Sequence, residues 1–262
     1  MNPRPFELLL FSTDAGLIRS AVAGGADGII VDWERRGKAV RQAGADTEIN
    51  HDTYDDLRRV HSATSGPVIC RLNSPAELDA DEVQMAIEGG ATEVLLPMVR
   101  EPDDVRPVLE LASRRVGVGI LIETIAAVDR AADFARLPLS RVYVGLNDLA
   151  IERRSFTIFD AILDGTIDRL RRLFSMPFGF GGLTLPERGH PVPCRLLMGE
   201  MARLDCQFSF LRRSFHRDVR GGSVQAGLSD IRRGLAAAGH RPGDEVTRDR
   251  EALHAAVMAA YV

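Results

Sequence analysis

Short apolar runs alternate with longer segments of helical period along the whole chain. The runs read LLLF from Leu8, GIIVDWE from Gly28, VICRLN from Val68, EVLLPMV from Glu93, VGILIET from Val118, RVYVGLNDL from Arg141, PFGFGGLT from Pro177 and FSFLRRSF from Phe208. They are rich in leucine and β-branched residues and do not alternate apolar with polar, which is the pattern of parallel strands buried on both faces. Between them lie amphipathic segments such as DAGLIRSAVAG from Asp14, EPDDVRPVLELASRR from Glu101 and DAILDGTIDRLRRLF from Asp160. Several open on Asp, Ser or Thr as an N-cap and close near Gly. GGAD after the first helix and GGATE after the third each precede a strand and lack Gly-x-Gly-x-x-Gly spacing, so they read as helix stops, not phosphate loops.

This alternation predicts eight strand-plus-helix units, and roughly 240 residues is the usual size of a (β/α)8 barrel. No Pro/Gly/Ser-rich linker divides them. The expected fold is therefore α/β: a (β/α)8 TIM barrel forming a single domain over residues 1–262, with an extra C-terminal helix at about 248–260. RRGKAVRQAGADTEINHD, after the second strand, exceeds a minimal loop and is expected over the active-site mouth. The C-terminal RPGDEVTRDREALHAAVMAAYV reads as the extra amphipathic helix. Pairing with another subunit in a homo-oligomer is its expected use, and packing on its own barrel is the alternative.

Composition narrows the function. Hydrophobic residues make up 45% and charged residues 27%, enough for a sizeable core under a wet surface. The net charge of -4 comes from 33 basic and 37 acidic residues, so the basic excess needed to bind a phosphate backbone is absent and no nucleic-acid partner is expected. Three cysteines without a Cys-x-x-Cys pair argue against a disulfide framework or a structural zinc, and fit a reducing cytoplasm. The apolar patch from Leu8 to Phe11 is too short for a signal-peptide core, and charges interrupt every stretch approaching bilayer length, so no membrane partner is expected either.

In a barrel of this kind the C-terminal strand ends converge around one opening and carry the chemistry. Here they hold Asp32 and Glu34 (second strand), Arg71 and Asn73 (third), Glu123 (fifth), Asn147 and Asp148 (sixth), Thr184 (seventh), and Arg212 with Arg213 (eighth). Glu123 and Asp148 end neighbouring strands. Two carboxylates driven together repel unless a cation sits between them, and hard oxygen ligands suit Mg²⁺ or Mn²⁺. A lone acid at such a position would more simply cap the following helix or pair with a barrel arginine. Arg71 is a candidate clamp for a substrate carboxylate, a task suited to a planar guanidinium, or else a structural partner of Asp32 or Glu34. Asn73 and Asn147 are candidate substrate contacts, Asn73 being equally able to hold a loop.

The pieces GADGIIVDWE, VICRLN, GATEVLLPMVREPDDV, ILIETIAAV and VYVGLNDLA, in this order and spacing, resemble the superfamily of class II pyruvate aldolases and citrate lyase beta-subunit-like proteins. The likeness runs from about Asp14 to Ala150. It implies a metal held by Glu123 and Asp148, Arg71 on the carboxylate or oxo group of a small keto acid or its thioester, and Asp32 and Glu34 as acids that orient waters and neighbouring side chains. Arg71, Asp32 and Glu34 are then the catalytic set. The implied chemistry is a lyase or aldolase reaction through a pyruvate-type enolate stabilised by Mg²⁺ or Mn²⁺.

Two departures from the family pattern stand out. Where the free-acid aldolases follow their acid-x-acid pair with a histidine that serves proton transfer, this chain has Arg35. His51 in the adjacent loop and a metal-bound water are the substitutes on offer. FELLLFSTD lacks the arginine and proline expected of the thioester lyases, although Arg35, Arg36, Lys38 and Arg41 place basic residues where a coenzyme A phosphate would need them. Lys38 is the only lysine, which leaves an imine mechanism almost without a candidate. The alternatives are a citramalyl- or malyl-thioester lyase, a phosphoenolpyruvate-using barrel enzyme, and a non-catalytic barrel that binds a keto acid or serves as a subunit.

Overall fold

The computed structural model describes residues 5–38 and 50–260. Its strands are β1 (Glu7–Phe11), β2 (Gly28–Asp32), β3 (Val68–Arg71), β4 (Glu93–Leu96), β5 (Gly117–Ile122), β6 (Arg141–Val144), β7 (Phe178–Phe180), β8 (Gly182–Leu183) and β9 (Phe208–Leu211). They form one parallel sheet in the order β7-β6-β5-β4-β3-β2-β1-β9-β8. β7 and β8 are two halves of one strand interrupted at Gly181, whose φ of 58° suits glycine. The first half pairs with β6 through Phe178 and Val142, and the second with β9 through Gly182 and Phe210. This broken strand passes its hydrogen bonds from one neighbour to the other and nearly closes the ring, giving the expected α/β barrel of eight strand positions.

The continuous apolar runs are buried on both faces, as their lack of alternation predicts. Leu8, Leu10, Ile29, Val31, Val68 and Cys70 pack outward against the helices, while Leu9, Phe11, Ile30, Ile69, Leu95, Leu121, Tyr143, Phe208 and Phe210 fill the lumen. At the N-terminal end of the barrel, Arg141 donates to Glu93 at 2.8 Å and to Glu7 at 2.9 Å while lying 4.8 Å over the Phe208 ring. That ion cluster plugs the lumen below the apolar layer.

Helix ends follow the sequence signals. Asp14 caps the helix Ala15–Ala23 by accepting from the Leu17 amide at 2.6 Å, and Thr53 and Asp56 form a reciprocal capping box at the start of Tyr54–Ala63. Gly25 (φ 98°) and Gly90 (φ 95°) stop their helices ahead of β2 and β4. DAILDGTIDRLRRLF is two helices, Asp160–Leu163 and Thr166–Leu173, where one was expected, because Gly165 turns left-handed (φ 77°) between them.

The C-terminal helix runs Gly243–Ala259, starting before the expected 248. It buries Leu253 and Val257 and is held to the helix Cys194–Arg203 by Arg241, which donates to Gly199 O at 2.8 Å and pairs with Asp249. Its apolar stripe is thus used within its own chain. No described helix is long and apolar enough to cross a membrane. The three cysteines are free and buried.

Candidate active site

Each acid at the barrel mouth is set in place by a strand followed at once by a helix start. β5 ends at Ile122; Glu123 follows, and Thr124 caps the next helix by accepting from the Ala127 amide at 3.0 Å while donating to Val99 O at 2.8 Å. Glu123, only 3% exposed, accepts from the Met98 amide at 3.2 Å across the β4 loop, where Met98 itself holds a left-handed φ of 56°. Gly145 lies so close to Glu123 that a Cβ there would overlap its carboxylate. Asp148, 9% exposed, stands in the first turn of the helix Leu146–Arg153 and not on β6 itself, with Asn147 beside it.

Glu123, Asp148, Asn147, Arg71, Thr184, Arg212 and Arg213 line one cavity of about 360 Å³ at this end of the barrel, together with Lys38, Tyr143 and His190. The two acids therefore share a cleft, as their positions at the ends of β5 and β6 predict. Two buried hard carboxylates with room beside them for water and substrate oxygens fit a divalent cation of the Mg²⁺ type. Among the described residues, no group of three or more His, Cys, Asp or Glu side chains is placed to hold a metal ion, here or elsewhere.

The second-strand acids Asp32 and Glu34 are buried behind the cavity, which neither of them lines. The β2/β3 register sets Asp32 beside Arg71. Arg71 donates from Nε and Nη2 to Asp32 at 2.8 and 2.6 Å, and its Nη1 lies 3.1 Å from Glu34 Oε2. The bidentate edge expected to hold a substrate carboxylate is therefore taken by Asp32, and Arg71 meets the cavity with what remains of its guanidinium. Burial by itself would raise the Asp32 pKa, but the charge and hydrogen bonds of Arg71, joined by Lys38 and Arg212, hold it well below the usual carboxylate range. Asn50 and the Glu34 amide also donate to Asp32, at 3.0 and 3.2 Å. The guanidiniums of Arg71 and Arg212 lie 5.2 and 4.4 Å from the centre of the Phe11 ring, in cation–π contact with it.

Other expected residues lie elsewhere. Asn73 accepts from the Arg35 and Arg36 amides at 3.1 and 3.0 Å and donates to Glu82 at 2.9 Å; it lines a separate cavity with Trp33, Asp52 and Tyr54 and holds a loop there. Arg35 and His51 are exposed, and Arg36 pairs with Asp79 at 2.5 Å. Thr184, by contrast, stays on the wall of the first cavity and donates to Asp218 at 2.7 Å. Arg41 and most of the long loop after β2 fall outside the described residues. Among the cavity residues not singled out as catalytic by sequence are Lys38, which read as one of a basic run serving either a coenzyme A phosphate or a solvated face, and His190, whose ERGHPVP context has no periodic signal.

No protein-family model and no curated protein sequence matches the chain. Among solved structures, an HpcH/HpaI aldolase/citrate lyase family protein from Burkholderia cenocepacia J2315 superposes with a TM-score of 0.64 at 15% identity, over 88% of this chain and 95% of that one. The chain shares the barrel fold of that protein. The citrate synthase SbnG matches with a TM-score of 0.61 at 14% identity, over 84% of this chain and 90% of its own. A tryptophan synthase from M. tuberculosis follows at 0.59 and 14%, over 89% and 94%. At these identities the likeness is one of fold, and the aldolase-like barrel agrees with the resemblance carried by GADGIIVDWE and ILIETIAAV; the reaction must be argued from the cavity.

Proposed function

We propose that the protein is a divalent-metal-dependent carbon–carbon lyase of the aldolase type, acting on a small 2-oxo acid through a pyruvate-type enolate. The observation that carries this reading is the placing of Glu123 and Asp148, both buried, on the wall of one cavity with Arg71. Glu123 and Asp148 would hold Mg²⁺ or Mn²⁺, which when bound supplies Lewis-acid polarisation of the substrate's oxo group. Arg71 and Arg212 give the cavity positive charge to attract and orient a carboxylate. Asp32 and Glu34 fix the guanidinium of Arg71 so that it does not reorganise as charge develops on the substrate. Asn147 and Thr184 offer polar contacts on the wall, and the ring of Tyr143, stacked 3.7 Å from Phe210, forms an apolar floor that excludes water. Fold kinship with an aldolase/citrate lyase family protein and a citrate synthase supports C–C bond chemistry. We place the protein in the cytoplasm, as a homo-oligomer.

The test supplies oxaloacetate or a 4-hydroxy-2-oxo acid with Mg²⁺ or Mn²⁺ and follows pyruvate. Release that stops on adding chelator and resumes on restoring the metal is expected. Activity confined to a coenzyme A ester would move the assignment to a thioester lyase. Keto-acid binding without turnover, indifferent to chelator, would make the barrel a binding module.

A further inference from the structure

Lys38 is the chain's only lysine and is 1% exposed. Its Nζ lies 3.4 Å from Glu34 Oε2 and 3.6 Å from Asp32 Oδ2, yet among the described residues it makes no hydrogen bond. An ammonium has three donors, and leaving them unmade in a buried place is costly, so an amine held this way is one prepared for an acceptor that arrives with a ligand. It lines the same cavity as Arg71, Glu123 and Asp148. The acid-x-acid pair on which a histidine is expected to follow is here occupied by an amine, reached from four residues beyond Glu34, while Arg35 points away into solvent.

We propose that Lys38 is the proton-transfer residue of this site, giving a proton to C3 of the pyruvate-type enolate on cleavage and removing one from C3 in the reverse direction. The inference rests on the lyase reading above. On cleavage of oxaloacetate the C3–carboxylate bond breaks, CO2 leaves and the electron pair remains on the enolate; an N–H bond of the Lys38 ammonium breaks as the C3–H bond forms, leaving pyruvate and a neutral amine that regains its proton from water. Asp32 and Glu34 hold the amine by charge without competing for its hydrogen bonds. Burial and the nearby guanidinium of Arg71 lower its proton affinity; Asp32 and Glu34 oppose this, and Arg212 acts with Arg71. The net direction is downward from the ordinary lysine value.

Exchange of the C3 protons of pyruvate in D2O with Mg²⁺, followed by NMR, isolates this step from bond cleavage. Lys38→Met is expected to slow exchange by about 100-fold or more while Mn²⁺ binding is unchanged. Lys38→Cys treated with bromoethylamine, which restores a less basic amine, is expected to recover part of the rate with the pH profile moved downward. If Lys38→Met exchanges as fast as wild type, the inference falls and the lyase reading stands; if wild type itself neither exchanges nor cleaves, both fall. A second measurement needs no variant. Labelling with ¹⁵N-lysine gives one side-chain signal, which is expected to shift on adding oxalate, a planar mimic of the enolate, and a signal unmoved at saturating oxalate overturns the proposal.

Discussion

Asp32 is the residue on which most charges at the mouth depend, since Arg71, Lys38 and Arg212 all lie within 3.6 Å of its carboxylate. Asp32→Asn removes one partner of a buried pair and leaves a guanidinium short of its counter-charge, so urea unfolding at neutral pH is expected to show a loss of about 3–5 kcal/mol. Asp52 behaves in the opposite sense. Its Oδ2 accepts from the Asp32 amide at 2.8 Å, and burial, opposed by that hydrogen bond and aided by the charges of Asp32 and Asp56, pushes its pKa up from 3.8 to about 6. The folded state then binds the proton more tightly than the unfolded chain; the associated stability is present below 3.8 and is lost as pH rises through 6. Asp52→Asn is accordingly expected to stabilise the fold at about pH 7.5, by on the order of 1 kcal/mol after allowing for solvent screening, and to change little near pH 4, as thermal melts at the two pH values would show. That Glu123 and Asp148 would meet at one cavity was legible because a charge that ends an apolar run has few uses in a core. The pairing of Arg71 was legible only as one of two options, since choosing between them needs the β2/β3 register. Lys38 was hidden because a lysine among arginines reads as a phosphate contact or as surface, and nothing local records that the chain turns it inward.

Among the elements, the turn from β6 into the helix Leu146–Arg153 carries the site. Gly145 leaves room for Glu123, so Gly145→Ala would force that carboxylate off its seat against the Met98 amide. The expected result is a loss of divalent-metal affinity of about tenfold or more, read by titration calorimetry, with the barrel still folded by circular dichroism. Strand and helix existence followed from periodicity, and caps such as Asp14 and Thr53 behave as their types dictate. Breaks were harder to place. FGFGG gave no warning that Gly181 would divide the seventh strand, and the apolar period of DAILDGTIDRLRRLF runs through Gly165 although the backbone does not, because one glycine can reverse φ without altering the spacing of its neighbours.

For the whole molecule, the count of eight strand positions was readable because each unit must bury an apolar run between a lumen and a helix, a requirement that repeats along the chain. What the C-terminal helix packs against was not readable, since an amphipathic stripe fits its own barrel or a partner equally well; here it lies on Cys194–Arg203. The nearly closed ring brings Glu123 and Asp148, far apart in sequence, into one cavity, and the proposed chemistry depends on that convergence. The most direct test is Mn²⁺ binding, measured by the loss of the free-ion electron paramagnetic resonance signal, in wild type, Glu123→Gln and Asp148→Asn. One Mn²⁺ per chain in wild type and a drop in affinity of at least about tenfold in each variant are expected. Equal binding by all three proteins, or no binding by wild type, would contradict the account.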